Sequence, residues 1–158
     1  MKATKMKVSG ILVLACLTLA SLIAIANASK TRTEFYLEAH VDIVGQMQVH
    51  IADDTTYILR YTVEGFVETR EHVDVGTISM DVVTIQRVRT PATVSAQFLI
   101  NLDSGETIKG IATGTETFFP DGSIDLDGKF VGHGDMHVMG EVHELPGPGA
   151  FYFDGNSW

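Results

Sequence analysis

The stretch Glu34-Phe35-Tyr36-Leu37-Glu38-Ala39-His40-Val41-Asp42-Ile43, EFYLEAHVDI, carries an apolar side chain at every odd position. Its even positions hold acids, a histidine and a tyrosine with its hydroxyl. Successive side chains of an extended chain point to opposite faces, so this alternation predicts a strand with one face in a core and the other in water. Gln46 to Ile51 continues the pattern, with Met47, Val49 and Ile51 on one side and a bend expected at Gly45.

The same reading extends to the C-terminus. Thr55 to Arg70 is rich in β-branched and aromatic residues, with a bulge or kink expected at Gly65. Thr77 to Arg89 and Thr93 to Leu102 follow, separated by Thr90-Pro91. Glu106 to Phe119, Ser123 to Val131 and Met136 to Leu145 complete the run, with Phe151 to Phe153 as a short closing strand. Asp103-Ser104-Gly105 and Pro120-Asp121-Gly122 place glycine where a hairpin needs positive φ, and Asp53-Asp54 and Asp127-Gly128 are weaker turn signals. No helical period survives beyond the N-terminal leader. The expectation is an all-β fold, an antiparallel meander of about eight strands, with a closed barrel favoured over a sandwich. Interior glycines support the barrel because they help long strands coil.

The N-terminus reads differently. MKATKMK is basic, VSGILVLACLTLASLIAIA has no charge, and Ala26-Asn27-Ala28 precedes Ser29. These are the three regions of a secretory signal peptide over residues 1–28, forming a hydrophobic leader helix. An uncleaved membrane anchor is the alternative, since a bilayer core needs about 20 apolar residues. Either reading exports the remainder, because the lysines precede the segment. The expected organisation is then a barrel over residues 29–145 and a Pro/Gly linker with an aromatic tail over 146–158.

Cys16 is the only cysteine and leaves with the leader, so the mature chain has no disulfide and no thiolate. Removing Lys2, Lys5 and Lys7 leaves 8 of the 11 basic residues against 20 acids, a net charge of −12. A domain of that sign repels phosphate backbones, which argues against a nucleic-acid partner. Membrane contact is expected only through an uncleaved leader.

Read as one strand, Gly132-His133-Gly134-Asp135-Met136-His137-Val138-Met139-Gly140-Glu141-Val142-His143 sets His133, Asp135, His137, Met139, Glu141 and His143 on a single face. Adjacent members of that stripe lie about 6.5–7 Å apart and pair up as metal ligands. His133, Asp135, His137, Glu141 and His143 are the candidate metal residues, for zinc, or for copper given the methionine. A mononuclear site there needs a ligand from a neighbouring strand, and His72 and His40 are available. The competing reading is the solvated face of a half-buried sheet. Asp121 to Gly128 offers oxygen atoms at alternate positions but has Leu126 where a calcium loop needs glycine.

No Gly-x-Ser-x-Gly elbow, phosphate loop or dinucleotide fingerprint occurs, and no catalytic residue is singled out. Phe35, Met47, Tyr57, Tyr61, Met80, Phe98, Phe119 and Phe130 fall mostly on apolar faces, where they fill a barrel or line a pocket for an apolar molecule.

The glycine- and threonine-rich stretch GIATGTETFFPDGSIDLDGKF, Gly110 to Phe130, resembles the later strands of allene-oxide-cyclase-barrel and calycin-like secreted proteins. The likeness covers part of the chain and rests on a turn-and-strand pattern. It implies an eight-stranded antiparallel barrel with an apolar cavity and transfers no catalytic residue. Three functions follow as expectations: an exported, non-enzymatic barrel binding a small apolar ligand; a copper or zinc protein using the His133–His143 strand; and an envelope protein that self-associates through a sheet edge or the aromatic tail.

Overall fold

A computed structural model describes residues 31–118, 124–147 and 149–158. The expected leader, residues 1–28, and the Pro120-Asp121-Gly122 turn with Phe119 lie outside them. The described chain is all-β. Eight antiparallel strands follow one another around a closed barrel: β1 (Thr33–Asp53), β2 (Thr56–Glu68), β3 (Asp74–Arg87), β4 (Ala92–Leu102), β5 (Thr107–Phe118), β6 (Ile124–Gly134), β7 (Val138–Glu144) and β8 (Ala150–Ser157). Each strand pairs with its sequence neighbour, and β8 closes on β1 from Thr33↔Ser157 to His40↔Ala150.

The alternation seen in EFYLEAHVDI sorts the wall. Phe35, Leu37 and Ala39 of β1 point inward with Val63 and Val67 of β2, Ile78, Met80 and Val82 of β3, and Phe98 and Ile100 of β4. At one end the interior is filled by aromatic rings. Phe130 lies 5.8 Å from Phe35, 6.5 Å from Phe98 and 5.0 Å from Phe153 between ring centroids, tilted or edge-on. Burial of each such ring contributes about 1.5–3 kcal/mol, and each pairing about 0.5–1.5 kcal/mol more. Gly110 and Gly132 make room for them: a Cβ on Gly110 would stand 2.4 Å from Phe98 Cζ.

Four sequence expectations need correcting. Residues 146–158 are not a linker with an exposed tail. Leu145 N–H donates to the Ala150 carbonyl at 2.9 Å, and Ala150–Ser157 is the strand that closes the barrel. Phe153 is 1% exposed and Phe151 is 8% exposed, because alternate residues of that strand face the core. Second, His133 to His143 is not one strand: β6 ends at Gly134, β7 begins at Val138, and the intervening residues turn. Third, Gly65 sits in unbroken register with Val41 and Ile78, with no bulge. Glycine is required there because a Cβ would come within 1.8 Å of the His40 carbonyl oxygen. Fourth, Asp127-Gly128 lies inside β6 and makes no turn. The bend at Gly45 is present, at φ +76 within a register shift between Val44 and Gln48.

Candidate functional site

The barrel walls differ in height. β1 runs for 21 residues, whereas β7 has 7 and β8 has 8. Past Val41, which donates its N–H to the Gly149 carbonyl at 2.9 Å, β1 has only β2 as a neighbour among the described residues. The β1–β2 hairpin therefore rises above the rim, and the wall is low on the β7–β8 side.

At this open end the interior is hollow. A cavity of about 500 Å³ is bounded by Val63, Met80, Val82, Ala96, Ala112 and Leu126, with Val142 and Phe153 at its depth. Its origin is local. Moving from the aromatic end along β4 and β5, Phe98 gives way to Ala96, and beyond Gly110 come Ala112 and Gly114, with no large side chain opposite to fill the space. Volumes of about 300–1,000 Å³ with mainly apolar walls are those of small-molecule sites.

The hairpin continues this surface. Tyr57, Leu59, Tyr61 and Val63 are alternate residues of a β2 segment in unbroken register with β3, so they share the inward face. Val49 and Ile51 pair with Leu59 and Tyr57 and belong to the same face. Val49 is 59% and Ile51 64% exposed, so the hairpin presents an apolar, solvent-facing overhang continuous with the cavity wall.

The polar groups are few and converge at the mouth. Glu116 of β5 and Glu144 of β7 both line the cavity, at inward positions of their strands. Burial pushes the Glu116 carboxyl above its ordinary value, and the nearby Glu144 charge adds to the rise. Glu144 is raised first by burial and then by Asp125. Its Oε2 is buried with no hydrogen-bond partner among the described residues. An unmade hydrogen bond of that kind costs about 1–3 kcal/mol, more for a charged group, and a donor arriving in the cavity recovers it. Tyr61 completes the set. Its hydroxyl lies 3.4 Å from Thr84 Oγ1, and burial raises its phenol against the lowering from Thr84.

No family model matches this chain, and no curated protein matches it.

The sequence-derived metal residues are distributed around the outer wall. His133 is the penultimate residue of β6 and is exposed. Asp135 Oδ2 accepts the Thr107 N–H at 2.7 Å and ties down the β6–β7 turn. The His137 ring stacks on Trp158 at 6.0 Å. Glu141 and His143 do come together, 3.5 Å apart, with Asp127 3.9 Å from the other imidazole nitrogen. Three ligand atoms mutually within 4.8 Å are found elsewhere among the described residues, at Glu38, Glu68 and His72. Of the aromatic set, Phe35, Phe98 and Phe130 fill the closed end, Tyr61 and Met80 line the cavity, and Met47 and Tyr57 lie on the overhang. Asp125 and Asp127 are exposed on the outside of β6, while Leu126 faces in.

Proposed function

We propose that this protein is an exported, non-enzymatic barrel that binds a small molecule with an apolar body and a hydrogen-bond-donating head, an amine or an alcohol. The observation that carries the reading is the cavity of about 500 Å³ at the open end. Its walls match an alkyl or ring system. Its polar groups, Glu116, Glu144 and Tyr61, gather at the mouth, and two of them are carboxyls. An anionic head meets like charge there and is disfavoured. The hairpin overhang offers further apolar surface to whatever part of the ligand protrudes.

Titration calorimetry with decylamine, decanol and decanoate tests the reading. Binding of the amine and alcohol, at least tenfold tighter than the carboxylate, is expected. Failure of all three to bind removes the ligand reading, and preferential binding of decanoate removes the role given to Glu116 and Glu144.

A second reading is favoured by one observation. The edge of β1 past Val41 carries no partner strand among the described residues, and an unpaired edge with exposed apolar residues is a template for strand pairing. Self-association through this edge, two hairpins side by side, is the form of the assembly role that remains once the tail is part of the barrel.

A further inference from the structure

On the outer wall, at the opposite end of β2 from the hairpin, Glu38 and Glu68 face each other in register across β1 and β2. Their side chains are only 10% and 13% exposed. Like charges directly opposite on a sheet repel, and buried carboxylates require a compensating partner. Neither has an arginine or lysine within ion-pair distance among the described residues. Arg70, the nearest in sequence, lies 3.1 Å from Glu34 and covers the Tyr36 ring at 4.3 Å. What does reach them is imidazole. His72, in the β2–β3 turn, has its Nδ1 3.6 Å from Glu38 Oε2 and 3.6 Å from Glu68 Oε1.

We propose that Glu38, Glu68 and His72 form a site for one divalent transition metal ion, with zinc the best match. The three ligand atoms lie within 4.8 Å of one another. Zinc bonds of about 2.0–2.1 Å place tetrahedral ligands about 3.4 Å apart, close to the two His72–carboxylate separations of 3.6 Å, and the two carboxylates need only close from within 4.8 Å of each other. The surrounding hydrogen bonds orient the carboxylates. The Tyr36 hydroxyl donates to Glu38 Oε1 at 2.7 Å, leaving Oε2 directed at His72 with no hydrogen bond among the described residues. His40 Nε2 lies 2.8 Å from Glu68 Oε1 and holds the second carboxylate. Fixed outer partners of this kind are what metal-binding carboxylates normally have. No thioether belongs to the group, so the preference for copper that a methionine would bring does not apply here. His72 is 72% exposed, which leaves the fourth position open to water. The site is independent of the cavity and of the His133–His143 stretch.

Zinc titration of the full chain by calorimetry, with cobalt substitution read by visible absorption, tests the site. One equivalent is expected to bind, with the intense d–d bands of a four-coordinate cobalt centre. His72→Ala, a substitution in an exposed turn, should weaken binding at least tenfold while leaving the circular dichroism unchanged. Glu68→Gln should do the same, and Tyr36→Phe should weaken binding about tenfold through Glu38. A triple variant His133→Ala, His137→Ala, His143→Ala should bind as the parent does. Less than a tenth of an equivalent bound, or affinity unchanged by His72→Ala, overturns the proposal.

Discussion

Adding carbon to the interior should have opposite effects at the two ends of the barrel. Ala96 is 5% exposed and lines the cavity. Ala96→Leu adds three carbon atoms to a space of about 500 Å³. At about 0.8 kcal/mol per buried methylene the gain is up to about 2.4 kcal/mol, and fixing the leucine rotamer returns about 0.5–1 kcal/mol of it. The net is about +1.5 kcal/mol, which at about 4 °C per kcal/mol for a domain of this size raises Tm by about 6 °C. Gly110→Ala adds a single carbon at the closed end, where it would lie 2.2 Å from the Val131 carbonyl oxygen and 2.4 Å from Phe98 Cζ. Overpacking of that kind costs about 1–3 kcal/mol, and the backbone clash puts it at the upper end, lowering Tm by about 10 °C. Thermal unfolding followed by circular dichroism, with decylamine calorimetry on the same samples, reads both effects. Ala96→Leu should melt higher and lose ligand affinity at once. A drop in Tm for Ala96→Leu similar to that of Gly110→Ala would mean that the open end is as tightly filled as the closed one, and the cavity would be gone.

Three further outcomes follow from the same geometry. Glu116 and Glu144 are raised above their unfolded values, so each favours the folded state most below the ordinary carboxylate range, and that contribution is lost as pH rises through the folded values; urea unfolding at pH 4.5 and 7.5 should show Glu116→Gln removing part of this fall, and an unchanged pH slope would deny Glu116 its buried setting. Phe153→Ala should cost about 3–5 kcal/mol by opening a hole among Phe98, Phe130 and Phe151; a loss under 1 kcal/mol in denaturant titration would contradict the packing described for the closing strand. Placing lysine at both Val49 and Ile51 should leave Tm within about 1 °C, as expected for exposed sites, and convert any dimer seen in sedimentation to monomer; a dimer that persists rules out assembly through the hairpin.

The alternation of apolar and polar residues made the wall legible, since β1 through β6 begin and end near the positions where the pattern starts and stops. Two boundaries were missed, each for its own reason. GHGDMHVMGEVH keeps its period through the β6–β7 turn, so alternation alone could not find the break; Gly134-Asp135, a glycine-acid pair of the kind that opens hairpins, was the local signal. The Pro146-Gly147-Pro148-Gly149 composition hid a hairpin connection, although Phe151 and Phe153 around Tyr152 already had strand period. The cavity carboxyls were readable in part. Glu116 follows Ala112 and Gly114, and Glu144 follows Val138, Gly140 and Val142, so each acid stands at the next inward position. The Glu38–Glu68–His72 group was not, because it depends on which residue of β2 lies opposite Glu38. Register comes from strand pairing across 30 positions of sequence, and no local pattern encodes it.

Strand length explains why the packed aromatic cluster and the cavity lie toward different ends of one barrel. The short β7 and β8 stop at the cavity mouth, at Glu144 and Ala150, while at the closed end all eight strands are hydrogen-bonded around the circle and the phenylalanines meet. Toward the rim the long strands continue without them, so the walls there are held by neighbours on fewer sides and the interior holds small residues. Cohesion at the closed end does not depend on what fills the other. Side chains such as Ala96, Ala112 and Tyr61 can therefore vary in size or polarity, reshaping the cavity, while the aromatic cluster continues to hold the sheet closed. In a chain whose single cysteine allows no internal disulfide, that cluster and the aliphatic side chains packed with it must supply the tertiary stability. Substitutions that change ligand preference should consequently fall on the rim half of the strands and leave unfolding cooperative, whereas those at Phe35, Phe98 or Phe130, outside the cavity lining, should weaken binding only by loosening the whole barrel.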